Sequence, residues 1–215
     1  MSQPAIDNRA ETQRVRGLMD KEASRYDRQM NFFDRALFPG GREWACSQAR
    51  GEVLEIAIGS GRNLPFYPQG ISLTAIEFSP EMLELARQRA AQLGREVDLR
   101  LGDAQELELA DQSFDTVVCT LALCTIPNPA SAVAEAYRVL RPGGRYVAFE
   151  HVRSPALAVR AVQRALDPVS VRFAGDHLVR EPLDYLRQAG FETEQPERSK
   201  WGIVERVIAR KPESR

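Results

Sequence analysis

One stretch limits what this chain can fold into more than any other: Glu52-Val53-Leu54-Glu55-Ile56-Ala57-Ile58-Gly59-Ser60-Gly61-Arg62-Asn63. Val53, Leu54, Ile56 and Ile58 form a nearly continuous apolar run, the pattern of a parallel strand covered on both faces. Gly59 and Gly61 follow at once and supply a left-handed backbone or a close passage past a ligand. Glu55 interrupts the run. A carboxylate inside such a strand costs on the order of a few kcal/mol unless it is paired or stands at the strand mouth. The expected placement is therefore a strand end facing a polar ligand.

Glycines after a strand commonly cradle phosphate, but the three-glycine dinucleotide spacing is absent: Ala57 fills its first place, and Asn63-Leu64 follow Arg62. A helix N-terminus would favour a pyrophosphate, yet Glu55 would repel it. The carboxylate suits a cationic group instead, and the competing reading is a tight turn that serves packing alone. The rest of the composition narrows the field. Lys and Arg number 29 against 30 Asp and Glu, a formal net charge of -1, so nucleic acid is not an expected partner. With 43% hydrophobic residues in 215, the chain can build one cored domain. Cys46, Cys119 and Cys124 lack CxxC spacing and are expected as reduced thiols, with no metal. No apolar run reaches the roughly 18 residues of a membrane span, and the N-terminus shows no apolar core of signal-peptide length. The expectation is a cytoplasmic protein without an integral membrane segment, a monomer or homodimer.

Taken in order, residues 1 to about 25 are polar, with Val15, Leu18 and Met19 as a thin apolar stripe on a lid or edge helix. Tyr26-Asp27 and an aromatic-rich segment through Phe38 lead to Pro39-Gly40-Gly41 and a second helix bearing Trp44. Ile71 to Glu77 is the second strand. From Glu55 to Glu77 is 22 positions, close to the interval of roughly 20 at which a βαβ unit delivers an acidic residue to a ribose. Ser79 caps the next helix, Pro80 opens it, and Gly94 ends it. Val97 to Leu101 is a third strand with Gly102-Asp103-Ala104 at its mouth, where Asp103 serves either a ligand amine or an Asx-turn. Ser113 to Cys119 is the fourth strand, and the apolar loop Thr120 to Ile126 forms the floor beside the switch point between strands one and four. A helix stops at Arg141-Pro142-Gly143-Gly144. Arg145 to Glu150 is the fifth strand and places His151 at its end. Residues 153 to 180 form an insert with a helix carrying Leu157 to Leu166, then Val169, Val171 and Phe173. Phe191 to Pro196 and Ile203 to Arg210 read as a closing antiparallel pair.

Glu55-x-Ala57-x-Gly59-x-Gly61, Glu77, Gly102-Asp103-Ala104, Asp115 to Cys119 and Leu140 to Gly144 stand in an order that resembles the class I S-adenosylmethionine-dependent methyltransferases over residues 52 to 152. Val118 to Cys124, Glu150-His151-Val152 and Leu166-Asp167-Pro168 are similar to the type 11, methyltransferase-like group whose vertebrate members methylate alkyl thiols. That group's membrane-associating N-terminal segment has no counterpart in this sequence, and Ala174 to Leu178 matches its corresponding run only in part. The resemblance implies an α/β Rossmann-like fold: a seven-stranded, mostly parallel sheet with an antiparallel final strand and helices on both faces. Residues 1–50 would be an N-terminal helical lid and 51–215 the methyltransferase domain, with the insert at about 153–180 covering the substrate. It further implies that S-adenosyl-L-methionine, leaving as S-adenosyl-L-homocysteine, is held by Tyr26, Glu55, Ala57, Gly59, Gly61, Asn63, Leu64, Glu77, Phe78, Ser79, Met82, Gly102, Asp103, Ala104, Cys119, Thr120 and Leu121. Tyr26, Leu123, His151, Arg172 and His177 would meet the acceptor.

Methyl transfer from a sulfonium is an in-line displacement, for which alignment alone is worth roughly 7 to 11 kcal/mol in favourable cases. No protein nucleophile is needed. A general base is needed where the acceptor must lose a proton, and His151 is the candidate because imidazole titrates near neutrality. The implied function is methyl transfer to a small-molecule acceptor, a thiol among them. The alternatives are a phospholipid or small-amine N-methyltransferase, a non-catalytic cofactor-binding module, and a nicotinamide oxidoreductase, the last disfavoured by the missing glycine.

Overall fold

The computed structural model describes residues 8–213, so the first residues of the expected polar N-terminal stretch lie outside it. Helix α1 (Asn8–Ala36) is one continuous helix where the sequence suggested two segments, and Tyr26-Asp27 falls within it. Helix α2 (Gly41–Ser47) leads to β1 (Glu52–Ile56), and the glycine loop then descends into a single 3-10 turn, Leu64–Phe66. After β2 (Ser72–Glu77), helix α3 (Pro80–Leu93) starts where the Ser79 hydroxyl accepts the Met82 N–H at 3.1 Å, and it ends at Gly94 with φ of 60°. Then come β3 (Asp98–Leu101), β4 (Phe114–Thr120) and α4 (Pro129–Val139), the last capped by Asn128. They are followed by β5 (Leu140–His151), α5 (Leu157–Ala174), α6 (Pro182–Gln188), β6 (Glu192–Thr193), β7 (Glu197–Ser199) and β8 (Val204–Arg210).

The sheet order is β3-β2-β1-β4-β5-β8-β6, with β7 also paired to β8. All pairs from β3 through β5 are parallel, and β8 is antiparallel to β5. The order in which strands are added reverses between β1 and β4, as expected for a doubly wound sheet. The strand count is eight rather than seven because the edge segment expected as one strand over 191–196 forms β6 at 192–193 and runs on into a second strand, β7, at 197–199. Glu194-Gln195-Pro196 interrupts it, and the register against β8 shifts by one residue between Thr193↔Ala209 and Glu197↔Arg206. Pro196 has no N–H for the ladder, so the break is where a bulge is expected. Likewise Arg141 to Gly144 is the bulged start of β5, not the tail of the preceding helix: pairing with β4 jumps from Phe114↔Leu140 to Thr116↔Arg145.

Alternation along the strands divides the core in two. Leu54, Ile56, Val117, Cys119 and Tyr146 pack on α4 and α6, while Val53, Ala75, Val118, Val147 and Phe149 pack on α2 and α3. Two non-glycine residues bend at the switch point itself. Ala57 follows β1 with φ of 54°, and Leu121 follows β4 with φ of 52°. Such left-handed positions cost about 1 to 3 kcal/mol each and persist where the surroundings enforce them. Leu121 is held by its N–H donating to Phe149 O at 2.8 Å.

Two outcomes are expected. Ala57→Gly should raise the unfolding free energy by about 1 kcal/mol in urea titrations, because glycine removes the left-handed penalty; a loss would show that the turn is unstrained. Gly41→Ala should destabilise by about 1 to 3 kcal/mol, since a Cβ there would lie 1.9 Å from the Phe149 ring; an unchanged denaturation midpoint would contradict it.

Candidate active site

The strand mouths carry three buried carboxylates, and each is consumed by a loop. Glu55 is 1% exposed. It accepts from Asn63 Nδ2 at 2.7 Å and from the Tyr67 hydroxyl at 2.9 Å, and burial pushes it up to about 7 against the lowering pull of those donors. This corrects the expectation that Glu55 stands at the mouth facing a ligand: alternation sends it to the same side as Val53, beneath the loop, where it anchors Asn63. Glu77 ends β2 as expected. Its carboxylate receives the Gly59 N–H and the Ser79 N–H, both at 2.9 Å, and burial again pushes it to about 7. A Cβ at Gly59 would meet nothing within 4 Å, so the space over the loop is open, whereas one at Gly61 would press on Leu64 Cδ1 at 3.0 Å and Ala86 Cα at 3.2 Å. Gly59 faces a ligand's space, and Gly61 allows the loop to sit on α3. Asn63, Leu64, Ser79 and Met82 are buried beside this loop and support it.

Ala57, Phe78, Gly102, Asp103 and Ala104 come together in one crevice, joined by Ile76, Thr125, Ile126 and Pro127, which sequence reasoning had not selected. The Asp103 carboxylate accepts from the Gln105 N–H at 2.9 Å, an Asx-type turn, and from Gln105 Nε2. Asp103 thus turns the chain, and it also lines the crevice.

The loop after β4 is fixed by groups distant in sequence. Glu150, 1% exposed, accepts the Ala122 N–H at 3.0 Å and the Leu123 N–H at 3.2 Å, and burial raises its pKa. Arg180 donates to the Leu123 and Ile126 carbonyls. Arg42, only 8% exposed, joins Asp34 at 3.1 Å, Asn63 Oδ1 at 3.2 Å and Thr120 Oγ1 at 3.2 Å. None of these three roles was visible locally. Cys119 and Leu123 were expected at the cofactor and acceptor, but both side chains are fully buried in the α4/α6 core, because the alternation that turns Val118 one way turns Cys119 the other. Burial pushes the Cys119 thiol well up. Thr120 is buried at 7% exposure, and Leu121 beside it is half-buried.

At the end of β5, His151 Nε2 lies 3.0 Å from Asp176 Oδ1. Cys124 joins them, with its Sγ and their ligand-type atoms all within 4.8 Å of one another. Burial alone would lower the His151 pKa, but the adjacent Asp176 carboxylate, with Glu150, raises it. Burial and Asp176 push the Cys124 thiol well up, so it remains a protonated donor. His177 is half-buried, its N–H donating to Cys124 O at 3.0 Å, and burial lowers its pKa. Arg172 is not part of this group. It lies on the exposed face of α5, with its guanidinium 5.9 Å from the Phe173 ring, because the helix runs through Pro168 to Ala174 and carries Arg172 outward.

Helix α1 crosses the mouth and is tied down by polar contacts. Gln105 Nε2 donates to Thr12 Oγ1 at 3.1 Å, the Ser79 hydroxyl to Asp20 at 2.5 Å, and the Ser60 hydroxyl to Asp27 at 2.6 Å. Arg62 bridges Asp27 and Asp34, and Arg89 also pairs with Asp27. Tyr26 is half-buried in this helix. Burial raises its phenol, and Arg42, Cys124 and Glu77 act on it from both sides of the cleft. A larger groove of about 420 Å³ lies between α1, α2 and the 3-10 turn. Its Arg42, Arg62 and Arg89 are paired with Asp34 and Asp27.

A family model described as a methyltransferase domain matches residues 54–148. The chain is 40% identical over 131 residues to a phosphatidylethanolamine N-methyltransferase of Cereibacter sphaeroides, covering 60% of this chain and 64% of that protein. It is 35% identical over 173 residues to the human thiol S-methyltransferase TMT1A, with 77% and 70% covered, and 32% identical over 187 residues to rat TMT1B, with 84% and 76% covered. Among solved structures, a SAM-dependent methyltransferase of Thermotoga maritima shares the fold at a TM-score of 0.72 and 24% identity, over 91% of this chain and 99% of that one. The switch-point crevice thus lies in a sheet of known kind, and by its likeness to these relatives the chain belongs to the class I S-adenosylmethionine-dependent methyltransferases.

Proposed function

We propose that this methyltransferase acts on a small thiol, with His151 as the general base and Asp176 as the residue that orients it. The single observation that carries the reading is the His151–Asp176 pair, 3.0 Å apart at the end of β5 beside the switch-point loop. The thiol relatives support the choice of acceptor. The residues present fit the cofactor: space is open above Gly59, and a buried carboxylate stands at the β2 tip next to it. When bound, S-adenosylmethionine supplies a methyl group on a cationic sulfur. Glu77 would receive the ribose hydroxyls at the β2 tip, the crevice at Gly102-Asp103-Ala104 would take the base, and Tyr26 would close from α1. With Nε2 turned to Asp176, Nδ1 of His151 is left to take the thiol proton as the sulfur attacks. Cys124 stays a spectator thiol, too high in pKa to compete. A phospholipid amine is the second reading, favoured by the relative from Cereibacter sphaeroides; transfer to phosphatidylethanolamine vesicles, with none to a panel of alkyl thiols, would replace the first.

His151→Ala should lower kcat with an alkyl thiol by about 100-fold or more. Asp176→Asn should move the acid limb of the kcat/KM profile to lower pH, because it removes the charge that raises His151 and leaves burial, which lowers it. An acid limb that stays in place would remove Asp176 from this role. Glu77→Gln should weaken cofactor binding by about 1.5 to 3 kcal/mol at pH 8, measured by calorimetry. The difference should narrow at pH 6, because the native carboxyl, pushed up to about 7, is then largely protonated. Equal affinities at pH 8 would take Glu77 out of the site.

A further inference from the structure

Helix α5 is turned inside out. None of its 18 residues is buried. The side it lays on the domain is polar: Gln163 Nε2 donates to the Val152 and Leu178 carbonyls at 2.9 Å, its Oε1 accepts the Ser154 N–H at 2.8 Å, and Asp167 accepts the Leu178 N–H at 2.7 Å. The side it shows outward is apolar, with Val162, Leu166, Val169 and Phe173 on one face between 54% and 69% exposed, and Leu157 in the first turn 74% exposed. An ordinary surface helix turns its apolar stripe toward the core. A contiguous exposed stripe of this kind marks an interaction surface.

The charges around the stripe select the partner. Arg160, Arg164 and Arg172 are the basic residues of α5, and its one acid, Asp167, is spent inward on Leu178. Beside the first turn, the Ser154 hydroxyl donates to Trp201 O at 2.6 Å, which fixes the β7–β8 turn against the helix start. Lys200 and Trp201 both take left-handed backbone, φ of 52° and 58°, and the Trp201 side chain is 76% exposed. An exposed indole next to a lysine at the rim of an apolar stripe is the pattern of a membrane–water interface. A two-fold related copy of the chain would set arginines against arginines with no outward acid on the helix to answer them. No described helix is long and apolar enough to cross a bilayer.

We propose that α5 and Trp201 dock this protein on an anionic lipid bilayer, with the helix lying flat at the headgroup level. Docking does not depend on the identity of the methyl acceptor. The test is co-sedimentation of the full chain with vesicles of phosphatidylcholine plus phosphatidylglycerol, and with phosphatidylcholine alone. The protein should bind the mixed vesicles, weaken as salt is raised, and shift its tryptophan emission to the blue; Trp201→Phe should abolish the shift. Val162→Glu combined with Phe173→Glu should reduce partitioning by about tenfold or more, with an unchanged circular dichroism spectrum, since both sites are exposed. Absence of vesicle binding by the native chain, or equal partitioning of the double variant, would overturn the proposal. So would equal binding to both vesicle types, or a concentration-dependent dimer that the double variant abolishes while vesicles bind neither protein.

Discussion

Burial of carboxylates at the ends of adjacent strands is the constraint on which the rest depends. Glu55, Glu77 and Glu150 are each 3% exposed or less, a placement that costs free energy unless every oxygen finds a donor. The donors are supplied by the loops that shape the cleft: Asn63 and Tyr67 for Glu55, the Gly59 and Ser79 amides for Glu77, and the Ala122 and Leu123 amides for Glu150. A loop that moved away would leave a charge unpaired in an apolar layer. The cleft is therefore preorganised by the same groups that make the fold costly to assemble, and proton uptake by the two carboxyls near 7 follows from that burial.

Local pattern carried the architecture. The apolar run at β1, the Ser79-Pro80 start and Gly94 stop of α3, and the interval from Glu55 to Glu77 depend on neighbours along the chain, and each is found where the residues place it. The crevice was also largely readable, since Ala57, Phe78, Gly102, Asp103 and Ala104 lie at or just beyond strand tips. What failed depended on facing. Glu55, Cys119 and Leu123 lie in the right segments, but their side chains point into the layers beside the sheet. Facing is set by registers that involve three strands at once, which no short stretch encodes.

The other class of miss was the long-range polar partner. Arg42 and Arg180 reach the site from α2 and from the segment before α6. Nothing around them in sequence separates them from surface charges. The expected sixth strand stopped short of Pro196 for a different reason, a missing donor that is legible once the partner strand is known. Ala57 shows the reverse case: its methyl hides a left-handed turn that a glycine would have advertised.

Arg42 unites features that would otherwise be separate. One guanidinium grips the end of α1 through Asp34, the glycine loop through Asn63 and the tip of β4 through Thr120. Roof, cradle and floor of the cleft consequently share a single hinge pin, and its flat, forked donor array cannot be copied by an ammonium. The width of the opening is thereby a collective property: none of the three walls can be retuned while the other two keep their old spacing.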